Sequence, residues 1–485
     1  MSKQLKIDTL SGVRWTTTSS LFVAAMYLAQ VSLLARLLSK EDFGVVSIAM
    51  VVLGFAQAFV DMGFSNAIIH KQTARKDQLD TLYWFNVLSG VTIFSVIVIS
   101  SGLVSQFYEE PKLQNVLIFT GLNFIIQPFG IQFKVLLQKD IKFNLISKIE
   151  IVGSFFGFIV ALIWAIKSPS VYALVFSFIA NSLVSTLLFV FFSPREHFPR
   201  MRFKVSEISE FLSFGFFQMG ERILNYFNSQ FDVLLIGKVL GAEVVGVYAM
   251  SKQLVLRPAQ IVNPIVTKVT FPVMSKLQED DLKLQAVYNK TINYLSSINF
   301  PLYGAIWILA PQIVRVVFGN SWDEAIPIIR ILSIFAALRS TGNPIGSLLL
   351  AKGRAKLAFY WNLGLFFIIP ATMYAGSFFG LLGVCYSLVL LMVILVIPNW
   401  YFQVHSTAGG GFWDYHKQIF IPGSIATISS FLAYYLSVYV VNDYLKIVTV
   451  SLIGGASCLI LNYYFNRKFL TTLGELINRP KKSTS

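Results

Sequence analysis

Long apolar runs and short polar breaks alternate along the whole chain. A run of about 20 apolar residues, rising ~1.5 Å per residue as a helix, matches the ~30 Å hydrocarbon core of a bilayer. Reading runs against breaks predicts fourteen helical spans. The first six run over 12–35, 44–69, 81–106, 113–136, 144–166 and 171–192. The other eight run over 212–237, 244–270, 287–314, 325–350, 357–379, 381–402, 418–440 and 446–465. Membrane strands are excluded, because their inward and outward positions alternate in polarity instead of staying apolar. The first run extends past Tyr27 and Gln30 to Leu34, longer than a signal-peptide core, and reads as a retained span.

The break between spans 1 and 2 has a near-copy between spans 7 and 8. Arg36-Leu-Leu-Ser-Lys-Glu41-Asp-Phe-Gly44-Val-Val46 lies over Lys238-Val-Leu-Gly-Ala-Glu243-Val-Val-Gly246-Val-Tyr248, with base, Glu and Gly offset by 202 positions. Each reads as the tight turn of a helical hairpin, and the pair as a duplicated bundle of membrane helices. The second copy is looser, since Val245 stands where the first has Phe43. The polar, proline-bearing break after span 6 joins the two halves. The expected domains are therefore an N-terminal bundle over 1–192, a cytoplasmic link over 193–211 and a C-terminal bundle over 212–402. Two further helices over 403–466 and a basic tail over 467–485 follow.

Composition agrees: the chain has 485 residues, 55% hydrophobic and only 13% charged. The net charge of +15 is a matter of topology. Alternate breaks, beginning with the N-terminus, hold about 27 Lys/Arg against about 7 in the opposite set, which places the first set and both termini in the cytoplasm. Such a surplus favours anionic lipid of the inner leaflet. No soluble basic domain exists to bind nucleic acid. Cys385 and Cys458 lie inside apolar runs, and the four histidines show no paired ligand spacing, so neither a metal nor a cofactor is expected.

Eight charges remain at membrane depth: Asp61, Glu221, Arg222, Asp232, Lys252, Arg257, Arg330 and Arg339. A charge at a helix centre costs ~2.5–3.5 kcal/mol on insertion scales, so these should face a protein interior or a wet cavity. On span 7, Glu221, Asn225, Asn228 and Asp232 stack on one helix face. On span 8, Gln253 and Arg257 do likewise, and Pro258 and Pro264 bend the helix beside them. The central surplus of cations suits an anionic substrate, because guanidinium groups bind phosphate oxygens in pairs. The carboxylates Asp61, Glu221 and Asp232 would bind a proton or coupling cation, or neutralise the arginines; the sequence leaves both open.

With these residues in view, the chain resembles the polysaccharide transporters, the oligosaccharide flippases of the MOP exporter superfamily, in the branch linked to colanic and teichuronic acid export. The resemblance rests on R-L-L-x-x-x-x-F-G at Arg36 to Gly44, D-x-G-F-S at Asp61 to Ser65, L-L-Q-K-D-I-K-F at Leu136 to Phe143 and D-x-L-L-I-G-K-x-L-G at Asp232 to Gly241. It implies an all-α integral membrane protein with two pseudo-repeated six-helix bundles around a central cavity, plus two C-terminal helices. It also implies a substrate, an undecaprenyl-pyrophosphate-linked oligosaccharide moved across the bacterial inner membrane by alternating access, with polymerase and export machinery as partners. The cavity residues would then be Arg222, Asn225, Asn228, Lys252, Gln253, Arg257, Arg330 and Arg339, although Arg330 and Arg339 lie half a helix turn apart in orientation and cannot both face one cavity squarely. Competing readings are a lipid-linked peptidoglycan precursor flippase and a cation-coupled drug exporter of about twelve spans with an acidic cavity. A membrane-embedded polymerase would need a larger outer loop than any break provides.

Overall fold

The computed structural model describes residues 3–61, 68, 75–342, 344–467 and 469–470, without the side chains of 3–11, 13, 61, 207, 209–219 and 221–222. Every expected span falls on a helix. In chain order these are α1 (Lys3–Leu34), α2 (Lys40–Asp61), α3 (Lys76–Tyr108), the broken run α4 (Pro111–Gly121), α5 (Asn123–Ile126) and α6 (Pro128–Lys139), α7 (Phe143–Lys167) and α8 (Tyr172–Phe192). Next come α9 (Ser209–Leu240), α10 (Ala242–Lys276), α11 (Asp281–Val317), α12 (Ala325–Gly342) and α13 (Pro344–Ala351). The last are α14 (Ala355–Ser377), α15 (Gly380–Asn399), α16 (Phe412–Ser437) and α17 (Asp443–Phe465). Among the described residues eleven helices are long and apolar enough to cross a membrane, twelve counting the α4–α6 run, which bends by 48° before Pro128. The long helices α9 and α10 are not among them, and they carry several of the intramembrane charges.

By packing, the described chain forms two compact units, one of residues 1–249 with 317–321, the other of 250–316 with 322–485. The boundary falls inside α10, not in the 193–211 segment. Within the first unit α1 packs along α7, α7 along α8, and α2 against both α4 and α9. The two copies of the repeated turn meet here. A Cβ on Gly44 would fall on the carbonyl oxygen of Ala242, and a Cβ on Gly246 on that of Lys40. Each glycine thus meets the carbonyl four residues ahead of the other glycine, the reciprocal pattern of a two-fold contact. The close approach continues along α2 and α9, where the Tyr226 hydroxyl donates toward the Met50 and Val51 carbonyls at 3.3 and 3.2 Å. Gly54 leaves the room for that ring.

Local chemistry fixes the helix ends. Ser39 and Asp42 cap each other at the start of α2, and Pro111 opens α4 behind the capping Glu110. The segment after α8 is strapped to the start of α3. Lys76 Nζ donates to the Glu196 and Phe198 carbonyls at 2.7 and 2.6 Å, and Trp84 Nε1 to that of Arg200 at 2.9 Å. Arg202 pairs with Asp77 at 3.1 Å. His197 sits in this strap, 3.5 Å from the Asp140 carboxylate.

In the second unit α12 packs on α15, α14 on α15 and α16 on α17. A π-helical stretch, Trp400–His405, prolongs α15. A core of Met274, Leu284, Tyr288, Leu348 and Tyr415 closes one end of the unit, with the Tyr288 and Tyr415 rings stacked at 6.2 Å.

Two outcomes are expected. Gly44→Ala and Gly246→Ala each press a methyl into backbone and should cost about 1–3 kcal/mol. Because they share one contact, the double variant should lose less than the sum. Unfolding midpoints of the detergent-solubilised protein check this, and unchanged midpoints would show that the turns do not touch. Burial holds the His197 imidazole below its usual value of 6.5, against the opposing pull of Asp140. The unfolded chain therefore takes up this proton more readily, and stability falls as pH drops through 6.5. His197→Gln should flatten that part of the stability profile, measured as midpoint against pH.

Candidate functional site

The intramembrane charges were singled out as a group, and the structure gives them different surroundings. Asp232 is buried on α9, and its carboxylate accepts the Tyr248 hydroxyl at 2.5 Å. These two residues lie eight positions either side of Leu240, so the α9–α10 hairpin brings them together across the turn at Gly241, whose φ is +88°. Asp232 is thus engaged in the packing of the repeated turn. On the same helix Asn225 is exposed and Asn228 half-buried. The side chains of Asp61, Glu221 and Arg222 lie outside the described residues.

On α10, Lys252 is buried while Gln253 and Arg257 are half-buried. Pro258, Pro264 and Pro272 all lie inside this helix, and each removes a backbone donor from the turn before it. A polar network lies alongside. The Asn299 amide donates to Asn263 Oδ1 at 2.9 Å, and the Asn263 amide to the Ser340 carbonyl at 3.2 Å, which ties α10, α11 and α12 together. Sequence reasoning did not single out Asn263 or Asn299.

The arginines of α12 part company, as their spacing of half a turn in orientation requires. Arg339 is exposed and lies over the Phe335 ring at 5.7 Å. Arg330 lies over the Trp307 indole at 5.2 Å and donates from Nε to the Trp307 carbonyl at 3.3 Å. Trp307 is also a wall of a cavity of about 600 Å³ between α11, α12 and α16. Its other walls are mainly aromatic and aliphatic, among them Phe300, Tyr303, Ile334, Phe431 and Tyr434. The unit therefore holds a guanidinium, kept by a cation–π contact and a hydrogen bond, beside an apolar slot.

A second pair was also missed. Lys134 on α6 and Glu150 on α7 meet at 2.8 Å. Both lie eight residues from Lys142, the same equal-distance signature across a hairpin turn that joins Asp232 to Tyr248.

A family model described as "Polysaccharide biosynthesis protein" matches residues 33–327. The chain belongs to the polysaccharide biosynthesis protein family. Among curated members, it is 30% identical to the lipopolysaccharide biosynthesis protein WzxC of Escherichia coli, over 90% of this chain and 88% of that protein. It is 32% identical to the teichuronic acid biosynthesis protein TuaB of Bacillus subtilis, over 81% of each. Among solved structures, an inward closed conformation of the lipid II flippase MurJ matches with a TM-score of 0.74, covering 94% of this chain and 99% of that one at 15% identity. That likeness gives the fold. The expected kinship with the polysaccharide biosynthesis proteins of colanic- and teichuronic-acid type holds at the level of the family, and the chain is a multi-pass membrane protein of that family.

The Arg330 guanidinium generates a prediction for this family member. Arg330→Ala should lower surface polysaccharide about tenfold, the cost of one charged hydrogen bond. Arg330→Lys should restore it only in part, since an ammonium neither stacks flat nor presents a fork of donors. Output equal to that of the unaltered protein at equal protein level would remove Arg330 from the site.

Proposed function

We propose that this protein is a flippase for undecaprenyl-pyrophosphate-linked oligosaccharide repeat units. It turns them from the inner to the outer leaflet of the bacterial inner membrane for surface polysaccharide synthesis. The observation that carries the reading is Arg330, held over Trp307, a wall of an aromatic-lined apolar cavity. A polyprenyl pyrophosphate is an anion on a long hydrocarbon chain, and this arrangement offers a partner to each part. Lys252, Gln253 and Arg257 on the proline-bearing α10, with Arg222, Asn225 and Asn228 on α9, supply further cationic and polar groups for the pyrophosphate and sugars. Asp61 and Glu221 remain candidates for a coupling ion or proton. Asp232, already bonded to Tyr248, is a weaker one.

Transport proceeds by alternating access between two bundles, 1–192 and 212–402, with both termini cytoplasmic as the charge ledger requires. The protein performs no chemistry on the sugar, and it hands the repeat unit to polymerase and export machinery. The relatives named for lipopolysaccharide and teichuronic acid biosynthesis, at 30 and 32% identity, favour this substrate over a peptidoglycan precursor. The fold alone is shared with the flippase of the latter.

The deciding experiment measures lipid-linked intermediates and surface polymer in cells lacking the protein. Undecaprenyl-linked repeat units trapped in the inner leaflet, with the polymer lost, are expected. Normal polymer with raised sensitivity to cationic drugs overturns the reading in favour of a drug exporter, and arrested peptidoglycan synthesis in favour of the precursor flippase. Within the site, Arg222→Ala and Arg257→Ala should each lower polymer, and normal polymer in both at normal protein level would remove the α9–α10 cations from it.

A further inference from the structure

The first unit holds a cavity that none of this uses. Helix α1 packs on α7, α7 on α8 and α8 on α6, and inside that arc lies a space of about 510 Å³. Its volume is that of a small-molecule site. Nine of its fourteen lining residues are polar, although it belongs to four helices of apolar composition. The face of α8 that it meets repeats at helical spacing through Phe178, Asn181, Ser182, Ser185 and Phe189. The Lys134–Glu150 ion pair closes one side, each member about one-third exposed. Ser182 Oγ is buried in this lining without a hydrogen-bond partner among the described residues. An unsatisfied buried hydroxyl beside an ion pair calls for a polar occupant.

The chemistry of the wall selects among occupants. A metal cation needs several oxygen ligands, and the one carboxylate here is already taken by an ammonium 2.8 Å away. An anion would meet Glu150, and a hydrocarbon chain would leave the buried Ser182 hydroxyl unbonded. A neutral sugar ring fits all of it. Its hydroxyls both donate and accept, matching the serines, the amide and the two halves of the ion pair. Its C–H face packs on a phenylalanine ring, and both Phe178 and Phe189 line the space.

We propose that this cavity is a saccharide subsite that takes one neutral sugar ring. The proposal rests on the reading that the protein carries a lipid-linked sugar, and it adds the class of sugar and the helices that receive it.

The test is saturation-transfer NMR on the full-length protein in phospholipid nanodiscs, with free glucose, galactose, fucose and glucuronic acid as probes. Transfer to the ring protons of a neutral hexose or deoxyhexose is expected, and none to glucuronate. Ser182→Leu, which fills the space, and Glu150→Gln, which keeps its shape, should each weaken the signal about tenfold. Unfolding midpoints show whether either variant is misfolded, and Glu150→Gln keeps the test open if Ser182→Leu does not fold. Transfer no greater than with empty nanodiscs overturns the proposal, as does glucuronate binding or an undiminished signal in a folded variant. So does a Glu150→Gln protein that binds sugar normally but has lost dependence on a proton gradient, which would make the pair a coupling site. The two readings fail separately. If cells lacking the protein trap repeat units while the folded Ser182→Leu protein flips them normally, the subsite falls and the flippase stands. If those cells keep normal polymer, the flippase falls whatever the NMR shows.

Discussion

The first unit depends on a contact from which side chains are excluded. At Gly44 and Gly246 the two copies of one turn lie backbone against backbone, each glycine under the carbonyl four residues before its counterpart. In hydrocarbon, helices gain nothing from hiding apolar surface from one another, so association rests on how closely their backbones approach. Glycine at both positions permits that approach. It brings α2 and α9 near enough for Tyr226 to reach carbonyls on α2, and Gly54 preserves the same closeness further along. A sequence offset of 202 positions thereby becomes a physical symmetry: the repeated residues are repeated because they meet each other.

Charges inside the apolar helices are the second constraint, and they are handled in more than one way. Asp232 is answered by a tyrosine hydroxyl across its own hairpin, and Lys134 and Glu150 answer each other across theirs. Arg330 is held by an indole face and a backbone carbonyl, contacts that orient a guanidinium without neutralising it. That difference matters for function. A neutralised pair can line a pocket for neutral polar groups, whereas an oriented but uncompensated cation retains its attraction for an anion.

The sequence was most legible where one physical quantity decides the outcome. Runs read against polar breaks put the expected spans on helices, including the bent run around Pro128, whereas α9 and α10 fall short on apolar length and are marked by their turns. Half-turn spacing separated Arg330 from Arg339. Packing partners were less legible, because helical periodicity gives a face but not the neighbour that the face meets. On its polar stripe Asp232 was open to a coupling ion or to an arginine, and Tyr248 was read only as part of the repeat. The Asn263–Asn299–Ser340 network draws on three helices, and no single helix carries a pattern that reveals it. The division by packing falls inside α10 because α9 packs on α2, a preference set by glycines and not by the polar segment at 193–211.

One rule would have recovered two of the missed pairs. In a tight antiparallel hairpin, residues equally distant from the turn lie at the same depth. Asp232 and Tyr248 are equidistant from Leu240, as Lys134 and Glu150 are from Lys142. Inserting an isolated charge is costly, so a polar residue at the mirrored position is the cheapest local compensation. Applied to a helical membrane protein, the rule separates charges that the hairpin itself satisfies from those that it does not. Arg330 shows the value of the distinction. Among the described residues its contacts are not with a mirrored acid but with the ring face and carbonyl of Trp307 on α11. A cation that its hairpin orients but does not neutralise is the kind of group a membrane protein retains for a substrate, and a carboxylate capped by its own hairpin is not.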